Sequence, residues 1–98
     1  MNVIFEVVDF NTRKIRLTKK QYLHIVKRHP SVADYFEEVK ETIRNPDVIT
    51  RSKVDEDVRY YYKYYKELKS PHKYILVVVK YLNGGGFIIS VYFEKSIK

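Results

Sequence analysis

The segment Lys73–Phe93 constrains the fold more than any other. Lys73–Tyr81 (KYILVVVKY) is almost continuously apolar over the length of a strand, the pattern of a central strand covered on both faces. Asn83-Gly84-Gly85-Gly86 follows and holds all three glycines of the chain, so the backbone can take the conformations a tight hairpin needs. Phe87–Phe93 (FIISVYF) then returns as a partner strand, with Ser90 and Tyr92 on the face opposite Phe87, Ile89, Val91 and Phe93. A chain carrying this hairpin has to build a sheet around it.

The remaining segments supply that sheet and a cover for it. Val58–Tyr65 (VRYYYKYY) predicts a strand with Val58, Tyr60, Tyr62 and Tyr64 on one face and Arg59, Tyr61, Lys63 and Tyr65 on the other. Asp47–Lys53 (DVITRSK) alternates likewise, with Ile49, Arg51 and Lys53 on one side. Val3–Phe10 and Lys14–Leu17 read as a hairpin turning at Asn11-Thr12. Between them Thr18 can cap a helix, and Gln21 completes a T-x-x-Q capping box. Tyr22, Ile25, Val26 and His29 form its apolar stripe, and Pro30 ends it. Ser31 can cap a second helix, Val32–Arg44, which Asn45-Pro46 stops. The order ββ-α-α-ββββ predicts an α+β fold in one domain over residues 1–98. Two N-terminal helices would pack on one face of a four-stranded antiparallel sheet, beside an N-terminal β-hairpin.

Composition narrows the chemistry. The absence of cysteine removes disulfides, thiolate nucleophiles and thiolate metal sites. The N-terminal residues lack a basic leader and no apolar run approaches the roughly 20 residues of a membrane span, so a soluble, cytoplasmic protein without a membrane partner is expected. A net charge of +7 favours a polyanionic partner, and ten interleaved tyrosines can stack on bases. The plainer explanation is that the charge serves solubility and the tyrosines serve strand formation.

The most basic segment carries two of the three histidines. His24 falls on the outer face of the first helix, beside Lys20, Lys27 and Arg28. The uncovered sheet face would present Arg51, Arg59, Tyr61, Lys63, Ser90 and Tyr92, with Lys73 or Lys80 at its border. Guanidinium forks and hydroxyls can hold a phosphate and steady a pentacoordinate phosphorane, although the same residues also suit a merely solvated face. Histidine titrates near neutrality, so a pair can take the 2′-hydroxyl proton of RNA and return one to the leaving 5′-oxygen. His29 has a structural alternative at the helix C-terminus, and His72 sits in a loop next to Pro71. No metal or cofactor is expected. His24 and His29 stand at i, i+5, H-E-x-x-H is absent, and Asp55-Glu56-Asp57 lacks the glycine and spaced acids of a calcium loop.

These residues carry a resemblance. L-T-x-x-x-Y-x-H-I-x-x-R-H-P at Leu17–Pro30 and R-N-P-D-x-I at Arg44–Ile49 resemble the phage-associated barnase–EndoU–colicin–RelE-like (BECR-fold) nucleases. R-Y-Y-Y at Arg59–Tyr62, K-Y-I-L-V-V-V at Lys73–Val79 and I-S-V-Y at Ile89–Tyr92 are similar to the later strands of that family, with Ser90 where threonine is usual. The resemblance implies a metal-independent endoribonuclease, often a toxin or mobile-element effector, with RNA on the sheet face away from the helices. It matches His24 and His29 to the helix histidines, Arg51 and Arg59 to basic strand positions, and Ser90 and Tyr92 to terminal hydroxyl positions. His24 would then be general base or acid and His29 its partner or support. Arg51 and Arg59 would hold the phosphate, and Ser90 and Tyr92 would orient it. Lys20, Lys27, Arg28, Tyr61, Lys63, Lys73 and Lys80 would bind RNA. A toxin of this kind implies an acidic antitoxin over the basic face. A non-catalytic RNA-binding module, or a structural protein of a mobile element, would use the same surface without turnover.

Overall fold

In the computed structural model, which describes residues 2–98, the C-terminal half forms the expected antiparallel meander. Its strands are β3 (Val48–Arg51), β4 (Val58–Tyr64), β5 (Tyr74–Leu82) and β6 (Gly85–Glu94). The turn between β5 and β6 places Asn83 at φ +53° and Gly84 at φ +84°, the left-handed pair a two-residue hairpin loop requires.

The sheet is larger than four strands and is mixed. β1 (Val3–Val8) and β2 (Lys14–Thr18) form the N-terminal hairpin, and β2 adds in parallel to the free edge of β6. The spatial order is β1-β2-β6-β5-β4-β3. The parallel contact is short, with Ile15 opposite Gly86 and Arg16 opposite Phe87. Glycine permits it. A Cβ on Gly86 would stand 2.8 Å from Ile15 Cδ1 and 3.0 Å from Val79 Cγ1.

The helices lie on one face. Thr18 Oγ1 accepts from the Gln21 backbone N–H at 3.2 Å and caps α1 (Lys19–Arg28) as expected. The expected helix Val32–Arg44 is divided into a 3-10 helix, Pro30–Tyr35, and α2 (Phe36–Arg44). Ser31 is not at a cap but inside the 3-10 helix, whose N-cap position is His29, and α2 starts from Tyr35 with no side-chain cap hydrogen bond. The tighter 3-10 winding turns Val32 into the core, where it is buried, before α2 lays down Val39, Thr42 and Ile43. On the helix side Ile15, Leu17, Ile25, Val39, Ile43, Tyr61, Ile75, Val77 and Val79 make one apolar cluster. On the other side Val58, Tyr62, Leu76 and Val78 make a second. β5 feeds both, which explains its unbroken apolar run.

One bulge resets the faces of β6. Val78 pairs with Ser90 but Val79 pairs with Ile88, so Ile89 is the extra residue. Phe87, opposite Lys80, therefore shares the face of Ser90 and Tyr92 rather than opposing them.

The N-terminal hairpin is also pinned to the meander by a buried carboxylate. Asp9 accepts from the backbone N–H of Asn11 and Arg13 at 2.8 and 2.9 Å, from Arg13 Nε at 3.1 Å, and from the hydroxyls of Tyr81 and Tyr61 at 3.0 and 3.3 Å. Burial alone would raise its pKa, but these donors and the Arg13 charge together hold the carboxyl below the usual range.

Candidate nucleic-acid interface

β2 leaves β6 after Arg16 and Phe87, and α1 takes over the exposed edge. Gln21 Nε2 donates to the Ile89 carbonyl at 2.6 Å, at the bulge. Eight residues on, the His29 ring meets the Tyr92 ring edge-on with centroids 5.0 Å apart. Eight helical residues rise about 12 Å and three strand residues about 10 Å, so α1 and β6 run side by side in the same direction. On this track His24 comes level with Ser90, and Arg28, one turn later, with Tyr92. One amide hydrogen bond and one aromatic contact thus join the two elements, beside the core packing that Ile25 shares with Ile88 and Val91.

His24 and Arg28 look across the β6 edge into a groove of about 930 Å³ on the sheet face away from the helices. Strand register lays out its floor. Ser90, Val78, Tyr60 and Thr50 stand opposite one another on β6, β5, β4 and β3, and Tyr92, Leu76, Tyr62 and Val48 form the next row. From the Ser90 strand to the Thr50 strand is three interstrand spacings, about 14 Å. Arg51, Ser52, Lys53 and Val54 make the far lip, and Glu94 and Lys98, 3.3 Å apart, close one end. The floor is apolar and aromatic, with Tyr62 only 2% exposed, while the rim carries Arg28, Arg51, Lys53 and Lys98 against the single carboxylate Glu94. Such a groove suits a ligand that is flat and apolar in one part and anionic in another. The floor hydroxyl Thr50 Oγ1 is buried and has no hydrogen-bond partner among the described residues.

Of the expected residues, the fold brings His24, Arg28, Ser90 and Tyr92 to this groove, while Arg51 borders it only at the end of β3, where its pairing with Arg59 sets it on the helix-side face. His29 stands behind it. Its backbone N–H donates to Ile25 O at 2.8 Å and its carbonyl accepts from Val32 N at 3.0 Å, so it joins α1 to the 3-10 helix while its ring backs Tyr92.

Arg59, Tyr61 and Lys63 are not on the groove face. The pairings Tyr62–Leu76 and Tyr60–Val78 turn the even residues of β4 to the groove and the odd ones to the helix side. Tyr61 is fully buried at the Asp9 network beside Tyr81, where burial pushes its hydroxyl pKa up. Arg59 Nη1 donates to the backbone carbonyls of Glu56 and Val58, and Lys63 Nζ to Asn45 O at 2.8 Å. Lys73 is spent on the Leu68 carbonyl and Lys80 on Asp55 at 2.8 Å. Lys20 and Lys27 are exposed on α1 outside the groove lining.

Tyr60, Tyr62, Thr50, Lys53, Glu94 and Lys98 were not singled out from the sequence, yet they line the groove. The alternation of β4 held the signal for the tyrosines, since Val58 and Tyr62 belong with the apolar residues of β5 on either choice of face. Nothing in the pattern told which choice was right.

Among the described residues no group of three or more His, Asp or Glu side chains is placed to hold a metal ion, and no helix is long and apolar enough to cross a membrane. Comparison with curated proteins and with solved structures finds no match. The model of the phage-Barnase-EndoU-ColicinE5/D-RelE like nuclease2 family (PBECR2) matches residues 3–98, from the first strand to the groove-lining Lys98, and the chain therefore belongs to that family.

Proposed function

We propose that the protein is an endoribonuclease that cleaves RNA by 2′-hydroxyl attack on the adjacent phosphate without a metal ion. The observation that carries this reading is the convergence of His24, Arg28, Ser90 and Tyr92 along one edge of a groove whose opposite lip is Arg51 and Lys53. His24 is the proton-transfer group, taking the 2′-hydroxyl proton or supplying one to the leaving 5′-oxygen. Arg28 and Lys53 neutralise the phosphate, whose charge grows in the phosphorane, and the hydroxyls of Ser90 and Tyr92 orient its oxygens. Tyr60, half-buried on the floor, offers ring surface to a base. His29 acts as a support for Tyr92 and the α1 terminus. Family membership supports nuclease chemistry, and the excess of four Lys and Arg over one carboxylate on the rim supports a polyanionic substrate. As the toxin of a mobile element, the domain would be held in check by an acidic antitoxin covering this rim.

The test is incubation with labelled structured RNA in excess EDTA beside the His24→Ala variant. Products ending in 2′,3′-cyclic phosphate, lost in the variant while RNA affinity stays within about twofold, support the reading. Equal binding by both proteins with no cleavage overturns it and leaves an RNA-binding module.

A further inference from the structure

The second apolar cluster has one component that is not on a strand. Val58, Tyr62, Leu76 and Val78 are packed by Val48, Tyr60 and Tyr74 from the sheet itself and by Ile97 from the segment after β6. That segment turns back over the groove face instead of continuing away from it. Ile97 is half-buried on the cluster and Lys98 lines the groove.

We propose that Lys95–Lys98 is a self-inhibitory strap, with Ile97 occupying apolar floor on which a nucleobase of the substrate seats. The inference takes its ligand from the endoribonuclease reading and adds the regulation of that site. Three features suit a strap that lifts. Residues 95–98 carry no helix or strand, so releasing them breaks no ladder. The side-chain tether is the Lys98–Glu94 pair at 3.3 Å, with Lys98 itself 76% exposed, and such a pair holds weakly in water. An incoming phosphate offers Lys98 a stronger partner than Glu94, while a base face replaces Ile97 on the rings and aliphatic groups beneath. Tyr62, Leu76 and Val78 are otherwise a buried apolar floor on a sheet face that no helix covers.

The strap lowers apparent affinity by the fraction of molecules in which it is seated. The test compares the intact protein with Ile97→Ser and with a chain lacking residues 95–98. Each is titrated by fluorescence anisotropy with a 2′-O-methyl oligonucleotide, which cannot undergo 2′-hydroxyl attack, and with its abasic counterpart. A thermal melt confirms that each variant is folded, and Ile97→Ala replaces any that is not. Ile97→Ser is expected to bind the base-bearing oligonucleotide at least about threefold tighter and the abasic one unchanged. The shortened chain should favour the base-bearing over the abasic oligonucleotide more than the intact protein does. Unchanged or weaker binding of the base-bearing oligonucleotide by folded Ile97→Ser overturns the strap, and leaves the nuclease reading standing. If no version binds either oligonucleotide, the RNA reading falls and the strap falls with it.

Discussion

Gln21 on α1 hands its side-chain amide to the carbonyl of Ile89, the extra residue of the β6 bulge, at 2.6 Å. A glutamine at this point of a helix is expected to reach back to the N-cap backbone N–H. Here Thr18 still caps the Gln21 N–H, but the side chain leaves the helix and fastens it to the sheet. The Ile89 carbonyl at the bulge takes this bond where β2 has ended, on the edge of the groove that His24 and Ser90 both line. Two local irregularities, a displaced cap side chain and an extra strand residue, thus set the geometry of the candidate site.

Gln21→Ala should cost activity out of proportion to stability. The lost bond is solvent-exposed and worth about 0.5–1.5 kcal/mol in a thermal or urea melt. On the endoribonuclease reading proposed above, a shift of about 1 Å in His24 relative to the scissile phosphate is enough to lower kcat at least about tenfold. A loss of melting temperature with unchanged kcat would show that α1 is seated by its apolar face alone.

Asp9 should make the protein acid-sensitive. Its folded pKa lies below the ordinary value, so its contribution is fully present above the unfolded pKa of about 4 and is lost as pH falls through the lower folded pKa. Asp9→Asn keeps the shape but sets an amide N–H₂ among Arg13 and two tyrosine hydroxyls, at a cost of about 2–3 kcal/mol. Urea melts between pH 3 and pH 7 should show the native protein losing stability toward acid and the variant lying low with a flatter profile. Parallel profiles would assign the acid sensitivity to other carboxylates.

The parts of the fold written in local patterns were readable in advance. Alternation along β4, the apolar run of β5, the glycine-rich turn into β6 and the Thr18 cap all predict elements that exist. What alternation cannot supply is phase. VRYYYKYY has tyrosines on both faces, so either Arg59, Tyr61 and Lys63 or Tyr60 and Tyr62 can face the groove, and strand pairing selects the second set. The parallel contact of β2 with β6 joins residues some seventy positions apart and rests on the missing side chain of Gly86, which looked like part of a turn. His24, Arg28 and Ser90 could be listed as candidates from residue type, but their meeting depends on a bulge and one amide bond.

Salt dependence should separate the groove cations from those turned away. If Arg28 and Lys53 each neutralise one phosphate, replacing either by Ala should weaken RNA binding and reduce the slope of log K against log salt by about 1. Arg59→Ala and Lys63→Ala, on the helix side, should leave affinity within about twofold and the slope unchanged. Filter-binding titrations from low to moderate salt decide the matter. A loss of slope at Arg59 or Lys63 would put the RNA path on the wrong face.

Gly86→Ala should test whether the parallel join of β2 to β6 holds the site together. The added methyl would meet Ile15 Cδ1 at 2.8 Å, Val79 Cγ1 at 3.0 Å and Tyr81 Cδ1 at 3.2 Å, all in the packed core. Overpacking of this kind costs about 1–3 kcal/mol. Gly84→Ala is the control for glycine loss in the same turn. Nothing stands within 4 Å of its Cβ, so only the backbone strain at φ +84° is felt, about 1 kcal/mol. Relief at Gly86 comes most easily by moving β2, because β5 is held on both sides by long ladders whereas β2 meets β6 through two residue pairs. α1 follows β2 without a linker, so that movement carries His24 with it. Gly86→Ala should therefore speed amide exchange at Ile15 and Arg16 and depress RNA cleavage, while Gly84→Ala lowers stability and leaves cleavage intact. Equal cleavage by the two variants would mean that Gln21 and the α1 core contacts hold the helix in place without β2.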